Sequence, residues 1–285
     1  GDPEGAVREL KEAAGSTSDP KSGAAMFYDA ARLELEELDR PDDALSTVRE
    51  LKNRFRRRDR RVDLGASLVE VEALTALGDL AEAAERAEAL LEREPGEEVA
   101  ARARFFAGLI SFLQKRPGEA LERFREMVLA DRSAPLVNDA LRLMLVASDA
   151  GEPGGREAYE LFAEAHAAVL ADRTGRAREL LAEVADGHPG TSAALESLMM
   201  LGALLEEEED WEAALAVYRR VVDETDALAA SGTALLRRGG ILADRMDDPA
   251  GAIAEYRTLL RELPDSHVAG EARRRIERLR TEVEG

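Results

Sequence analysis

The chain has no cysteine among its 285 residues, which excludes disulfides, thiolate metal sites and cysteine nucleophiles while leaving the redox compartment open. Histidine occurs only as His166, His188 and His267. Glu164 stands two residues before His166, not at the i, i+4 spacing that a helical zinc pair requires, so no metal site is expected. Aromatic residues make up 4% and include one tryptophan. No apolar run approaches the roughly 18 residues of a membrane span, and no secretory leader is present; because the chain begins at Gly1, a leader or anchor ahead of it stays open. The glycine-rich stretch Gly151 to Gly155 lacks the Lys-Ser/Thr ending of a phosphate loop. Ser18 and Lys21 have the spacing of a penicillin-recognising nucleophile but fall in a polar linker without companion motifs. No catalytic residue and no cofactor are expected.

What is present is helical and acidic. Hydrophobic residues reach 45% and charged residues 34%, and the apolar share is mostly Ala and Leu, the strongest helix formers. The formal net charge is −20, which repels polyanions, so no nucleic-acid partner is expected.

One pattern recurs seven times: an Ala, an apolar residue four further on, and another three beyond, all on one helical face. The anchors Ala6, Ala44, Ala83, Ala120, Ala177, Ala214 and Ala252 are spaced by 38, 39, 37, 57, 37 and 38 residues. The next positions are Leu10, Val48, Ala87, Phe124, Leu181, Tyr218 and Tyr256, followed by Ala13, Leu51, Leu90, Met127, Val184, Val221 and Leu259. A fixed period of this size marks stacked helical hairpins. The long gap predicts an inserted helix and loop over 135–155. Pro3, Pro41, Pro117 and Pro249 precede their anchors by three residues and Asp2, Asp79, Asp210 and Asp248 by four, as helix starts and N-caps should. Twelve residues before the anchors, Gly108, Ala165, Gly202 and Gly240 permit close helix approach, with Arg32 and Val71 as exceptions.

A small residue, a twelve-residue step to Ala, an aromatic or Leu, an apolar residue and a closing Pro95, Pro189 or Pro264 resemble the tetratricopeptide repeat. The resemblance implies an all-α, right-handed superhelical solenoid of antiparallel helix hairpins extending over 1–285 as a single domain. Residues 1–15 then read as a truncated repeat, the second helix of a hairpin, or as a capping helix. The linkers at Pro189 to Ala194 and Pro264 to Ala269 resemble those of the bacterial Tol-Pal coordination factor and outer-membrane assembly lipoproteins. That likeness implies a bacterial periplasmic or membrane-associated setting in preference to the cytoplasm, with membrane association only through a partner or a missing segment.

The resemblance implies a non-catalytic scaffold that binds protein or peptide partners on a concave helical surface, or else a regulatory or sensor domain of a larger protein whose enzymatic or membrane part precedes residue 1. Phe105, Leu109 and Phe112 share one helical face, as do Tyr159, Phe162 and His166. These six are candidate groove residues, with packing against the inserted helix the preferred alternative for most of them. Arg54, Arg56, Arg57, Arg58, Arg60 and Arg61 form a candidate patch for an anion or an acidic partner. Its alternative, and the preferred one, is a solvated helix terminus where cations suit the macrodipole. The chain does not match the Lys, Asn and Arg clamp with which some such proteins grip chaperone tails: its only lysines are Lys11, Lys21, Lys52 and Lys115, and its only asparagines Asn53 and Asn138.

Overall fold

Proline and aspartate start the helices. The computed structural model describes the backbone of residues 2–225 and 227–284, with side chains up to Thr281. Pro3, Pro20, Pro41, Pro117 and Pro249 each occupy a first helical turn, where a missing N–H costs nothing. Asp2 and Asp248 accept a hydrogen bond from Gly5 N and Gly251 N at 2.9 and 2.8 Å, and Asp210 accepts from Ala213 N at 3.3 Å. The fourth expected cap fails, since Asp79 accepts no such bond.

Fifteen helices and no strand occur among the described residues. They are α1 (Pro3–Ser16), α2 (Pro20–Glu36), α3 (Pro41–Arg54), α4 (Arg60–Leu77), α5 (Leu80–Leu91), α6 (Glu97–Leu113), α7 (Pro117–Ala130), α8 (Val137–Asp149), α9 (Gly155–Leu170), α10 (Thr174–Gly187), α11 (Ser192–Glu207), α12 (Trp211–Glu224), α13 (Leu228–Asp244), α14 (Pro249–Glu262) and α15 (Ala269–Glu284). Among the described residues no helix is long and apolar enough to cross a membrane. The protein is an all-α helical repeat, divided into two compact units: Gly1–Ala150 with His166–Arg173, and Gly151–Ala165 with Thr174–Gly285. In the first unit α1 to α8 each pack on the next, and α2, α4, α6 and α8 also touch in succession. In the second, α10 to α15 each pack on the next.

The turns share one device. Asp39, Gly78, Lys115, Asp172, Glu209 and Asp247 all have left-handed backbone, and each lies five residues before an anchor Ala. The following N–H then bonds back to the closing turn of the preceding helix, as in Asp79 N to Leu74 O at 2.9 Å and Arg116 N to Ser111 O at 3.0 Å.

The expected stripe is the core. All eighteen stripe positions from Ala44 to Leu259 are at most 1% exposed. The first copy departs from the pattern: in α1 Val7 and Ala14 are buried, while Ala6 and Leu10 are half-buried and Ala13 is exposed.

Close approach is achieved by pairing a small residue with a large one. A Cβ at Gly108 would stand 2.6 Å from Phe124 Cδ1, and one at Gly202 would stand 2.6 Å from Tyr218 Cζ. The two exceptions in the small-residue pattern have separate causes. The α2–α3 connection, residues 37–40, is one residue longer than the α6–α7 connection, residues 114–116, and Arg40 N accordingly reaches Glu34 O, six residues back rather than five. The small residue is therefore Ala31, which shares a cluster with Ala44 and Val48, and Arg32 turns outward. In α4 and α5 the sizes are exchanged, with Val71 packed in one cluster with Ala87.

Candidate functional site

Five of the six side chains expected to line a groove are enclosed. Phe105 is 7% exposed, Leu109 and Phe112 at most 2%, and Tyr159 and Phe162 at most 1%. The cause in α6 is its position against α4, α5, α7 and α8, which leaves no broad free face; Phe105 lies 5.8 Å from Phe124, centroid to centroid. His166 is half-buried, with its ring 6.5 Å from that of Phe112, and desolvation lowers its pKa to about 4. Burial likewise raises the pKa of Tyr159. Five of the six are therefore buried in the packing, and His166 alone is partly exposed.

The six arginines divide into two sets. Arg58 pairs with Asp63 and donates from Nη1 to Phe55 O at 3.0 Å, closing the end of α3. Arg60 donates from Nη2 to Arg93 O at 2.6 Å and Glu94 O at 3.0 Å, closing the end of α5. Arg54 lies 5.7 and 5.4 Å over the rings of Phe27 and Phe55 and pairs with Glu50 at 3.7 Å. Arg56, Arg57 and Arg61 are exposed and make no ion pair among the described residues. The macrodipole suits Arg54 at the C-terminal end of α3 but not Arg60 and Arg61, which open α4, the end that favours anions.

Three carboxylates on the first helices of the hairpins are buried and paired. Glu34 meets Lys11 at 2.6 Å, Glu70 meets Lys52, and Glu72 meets Arg102 at 2.9 Å. Desolvation, against the attraction of Arg102, raises the pKa of Glu72 to about 7. Among the described residues no group of three or more His, Cys, Asp and Glu side chains is placed to hold a metal ion.

The second unit contains a cleft that sequence reasoning missed. Its volume is about 470 Å³ and its lining comes from α11, α13 and α15 together with Trp211 and Arg245. Trp211, the sole tryptophan, is half-buried at the start of α12, and the exposed Arg245 guanidinium lies 5.1 Å from its ring centre. The wall is ordered by a relay: Tyr218 donates its hydroxyl to Glu206 Oε1 at 2.6 Å, and Arg237 Nη1 stands 3.4 Å from Glu206 Oε2. Burial, reinforced by Glu206, raises the Tyr218 pKa and keeps this phenol a donor. Arg275 donates to the Tyr256 hydroxyl at 3.4 Å and lies 3.9 Å from Asp244. The signal available in the sequence was Trp211 directly after the acidic run Glu206 to Asp210.

A tetratricopeptide repeat family model matches residues 68–136 and 162–229. A tetratricopeptide repeat protein from Parabacteroides merdae is structurally similar at 12% identity, with 97% of this chain and 93% of that one covered and a TM-score of 0.41. The structure of Naa15/Naa10 bound to HypK-THB is similar at 16% identity, with 90% of this chain and 38% of that one covered and a TM-score of 0.34. No curated protein matches the chain. The chain carries tetratricopeptide repeats over those two segments, and the same hairpin register continues outside them, through the anchors Ala44 and Ala252.

Proposed function

We propose that the chain is a non-catalytic protein–protein interaction scaffold and that a peptide segment of its partner lies in the cleft of the second unit. One observation carries this reading: three successive first-position helices, α11, α13 and α15, open onto a cleft in which the half-buried ring of Trp211 lies with Leu236 and Ile241 among charged side chains. A half-exposed tryptophan flanked by ordered charges suits an anchor side chain with polar contacts around it. Arg237, Arg275, Glu206 and Asp244 supply both donors and acceptors, so the segment expected is one of mixed charge around an apolar anchor.

A randomised peptide library selected against the wild-type chain tests the reading, with Trp211 emission reporting occupancy directly. Selected peptides should share an apolar anchor flanked by charges, alter the emission and lose binding to a Trp211→Ala variant. Selected peptides that bind the variant as well as the wild type would place recognition elsewhere.

A further inference from the structure

The connection between α3 and α4 carries an excess of positive charge that the fold does not use. Most other arginines are committed to carboxylates, as Arg32 to Glu36 at 2.7 Å, Arg178 to Glu208 at 2.5 Å and Arg238 to Glu255 at 2.6 Å. At this connection the nearby carboxylates are already engaged. Asp59 pairs with Lys21 at 2.8 Å, Asp63 with Arg58 and Arg93, and Glu50 with Arg54 at 3.7 Å. Arg56, Arg57 and Arg61, within six residues of one another, are left exposed and without an ion pair among the described residues.

The segment bearing them is held firmly. Phe55 is 6% exposed and lies 5.4 Å from Phe27. Arg58 fastens the connection to Phe55 O and Asp63, and Arg60 fastens the start of α4 to the carbonyls of Arg93 and Glu94. The backbone that carries them is thus fixed, so binding has only the three exposed side chains to order, and each guanidinium fork can donate to a carboxylate in bidentate fashion.

We propose that this connection is a docking surface for a carboxylate-rich segment of a protein partner, held by Arg56, Arg57 and Arg61. The charge balance selects the occupant. At a net charge of −20, an extended polyanion such as RNA or an anionic bilayer meets the acidic remainder of the molecule as well as the patch. A short segment touches the connection alone, and repulsion from charges farther off is screened beyond about 8 Å at physiological salt. This site is separate from the Trp211 cleft and does not depend on it.

The test uses the full chain and a fluorescein-labelled glutamate-rich decapeptide, followed by anisotropy at low and physiological salt. The peptide should bind in a salt-dependent manner, and R56A/R57A/R61A should weaken it by about tenfold without changing the thermal midpoint. R56K/R57K/R61K, which keeps the charge but not the fork, should fall between the two and decides the matter should the alanine variant unfold. Equal binding by the wild type and both variants overturns the proposal. So does arginine-dependent binding of phosphatidylserine vesicles or a single-stranded RNA oligonucleotide that is tighter than binding of the peptide.

Discussion

Gly239 on α13 faces the ring of Tyr256 so closely that a Cβ at position 239 would stand 2.6 Å from Tyr256 Cζ, whereas one on the adjacent Gly240 would meet nothing nearer than Arg275 Nη1 at 3.0 Å. The repeat spacing points to Gly240. The α13–α14 connection, residues 245–248, is one residue longer than the α11–α12 connection, residues 208–210, and this moves the contact back by one. Tyr256 is fully buried and cannot swing aside, while the Arg275 side chain is long and flexible. Gly239→Ala should therefore lower stability by about 1–3 kcal/mol through overpacking, although alanine is the better helix former. Gly240→Ala should be neutral or gain up to about 1 kcal/mol. Urea unfolding of the two variants decides it, and equal effects would remove the register argument.

Val71 and Ala87 exchange the sizes used in the other hairpins. Val71→Ala should cost about 1–3 kcal/mol by leaving a cavity, and Ala87→Val about 1–3 kcal/mol by crowding the same space. The double variant returns the volume to the contact and should be less destabilised than the sum of the two by about 1 kcal/mol. A double-mutant cycle that closes additively would show that the two residues do not share the space.

The repeat was legible because the second helices obey one rule: each has a single buried stripe, and the Ala-x3-apolar-x2-apolar spacing states it directly. Eighteen of those positions, Ala44 through Leu259, are at most 1% exposed. The first helices hide their roles because a helix covered on several sides has no periodicity that separates core from surface. In α4 every residue from Leu64 to Thr75 is buried, and in α6 the expected groove residues Phe105, Leu109 and Phe112 are in the packing for the same reason. Loop length was invisible to a fixed twelve-residue step, so Arg32 and Gly240 were placed one residue from Ala31 and Gly239. The patch at Arg54 to Arg61 could be seen as a cluster, but only contacts separate Arg58 and Arg60, which close helix ends, from Arg56, Arg57 and Arg61. The Trp211 cleft draws on residues more than sixty positions apart, from Glu206 to Arg275, which no local pattern joins.

The left-handed turn residues offer a cleaner test of backbone strain. Gly78 has φ of +83° with nothing within 4 Å of a would-be Cβ, so Gly78→Ala isolates the conformational cost, about 1–2 kcal/mol. Glu209, at φ 59° in the equivalent turn, already bears that strain. Glu209→Gly should therefore raise stability by up to about 1 kcal/mol, the relief being partly offset by the freer unfolded chain. Thermal melts of the two variants moving in the same direction would contradict the equivalence of the turns.

Glu72 and Asp63 should give the protein opposing responses to pH. Desolvation, outweighing Arg102, raises Glu72 from 4.5 to about 7. A proton is then held more tightly in the folded state than in the unfolded chain, so this contribution is intact below the unfolded pKa and is lost as pH rises from about 4.5 through 7. The loss amounts to roughly 3 kcal/mol at most. At Asp63 desolvation acts upward, but the hydrogen bonds from Arg58 and Arg93 prevail and lower the pKa below 3.8. Its contribution is therefore present above that value and lost as pH falls through the folded pKa. Glu72→Gln removes the first response only. The difference in unfolding free energy between pH 5 and pH 8 should be smaller in the variant than in the wild type, while the decline below pH 4 persists. Identical pH dependence in the two proteins would mean that Glu72 is ionised throughout this range, with Arg102 supplying enough stabilisation to overcome burial.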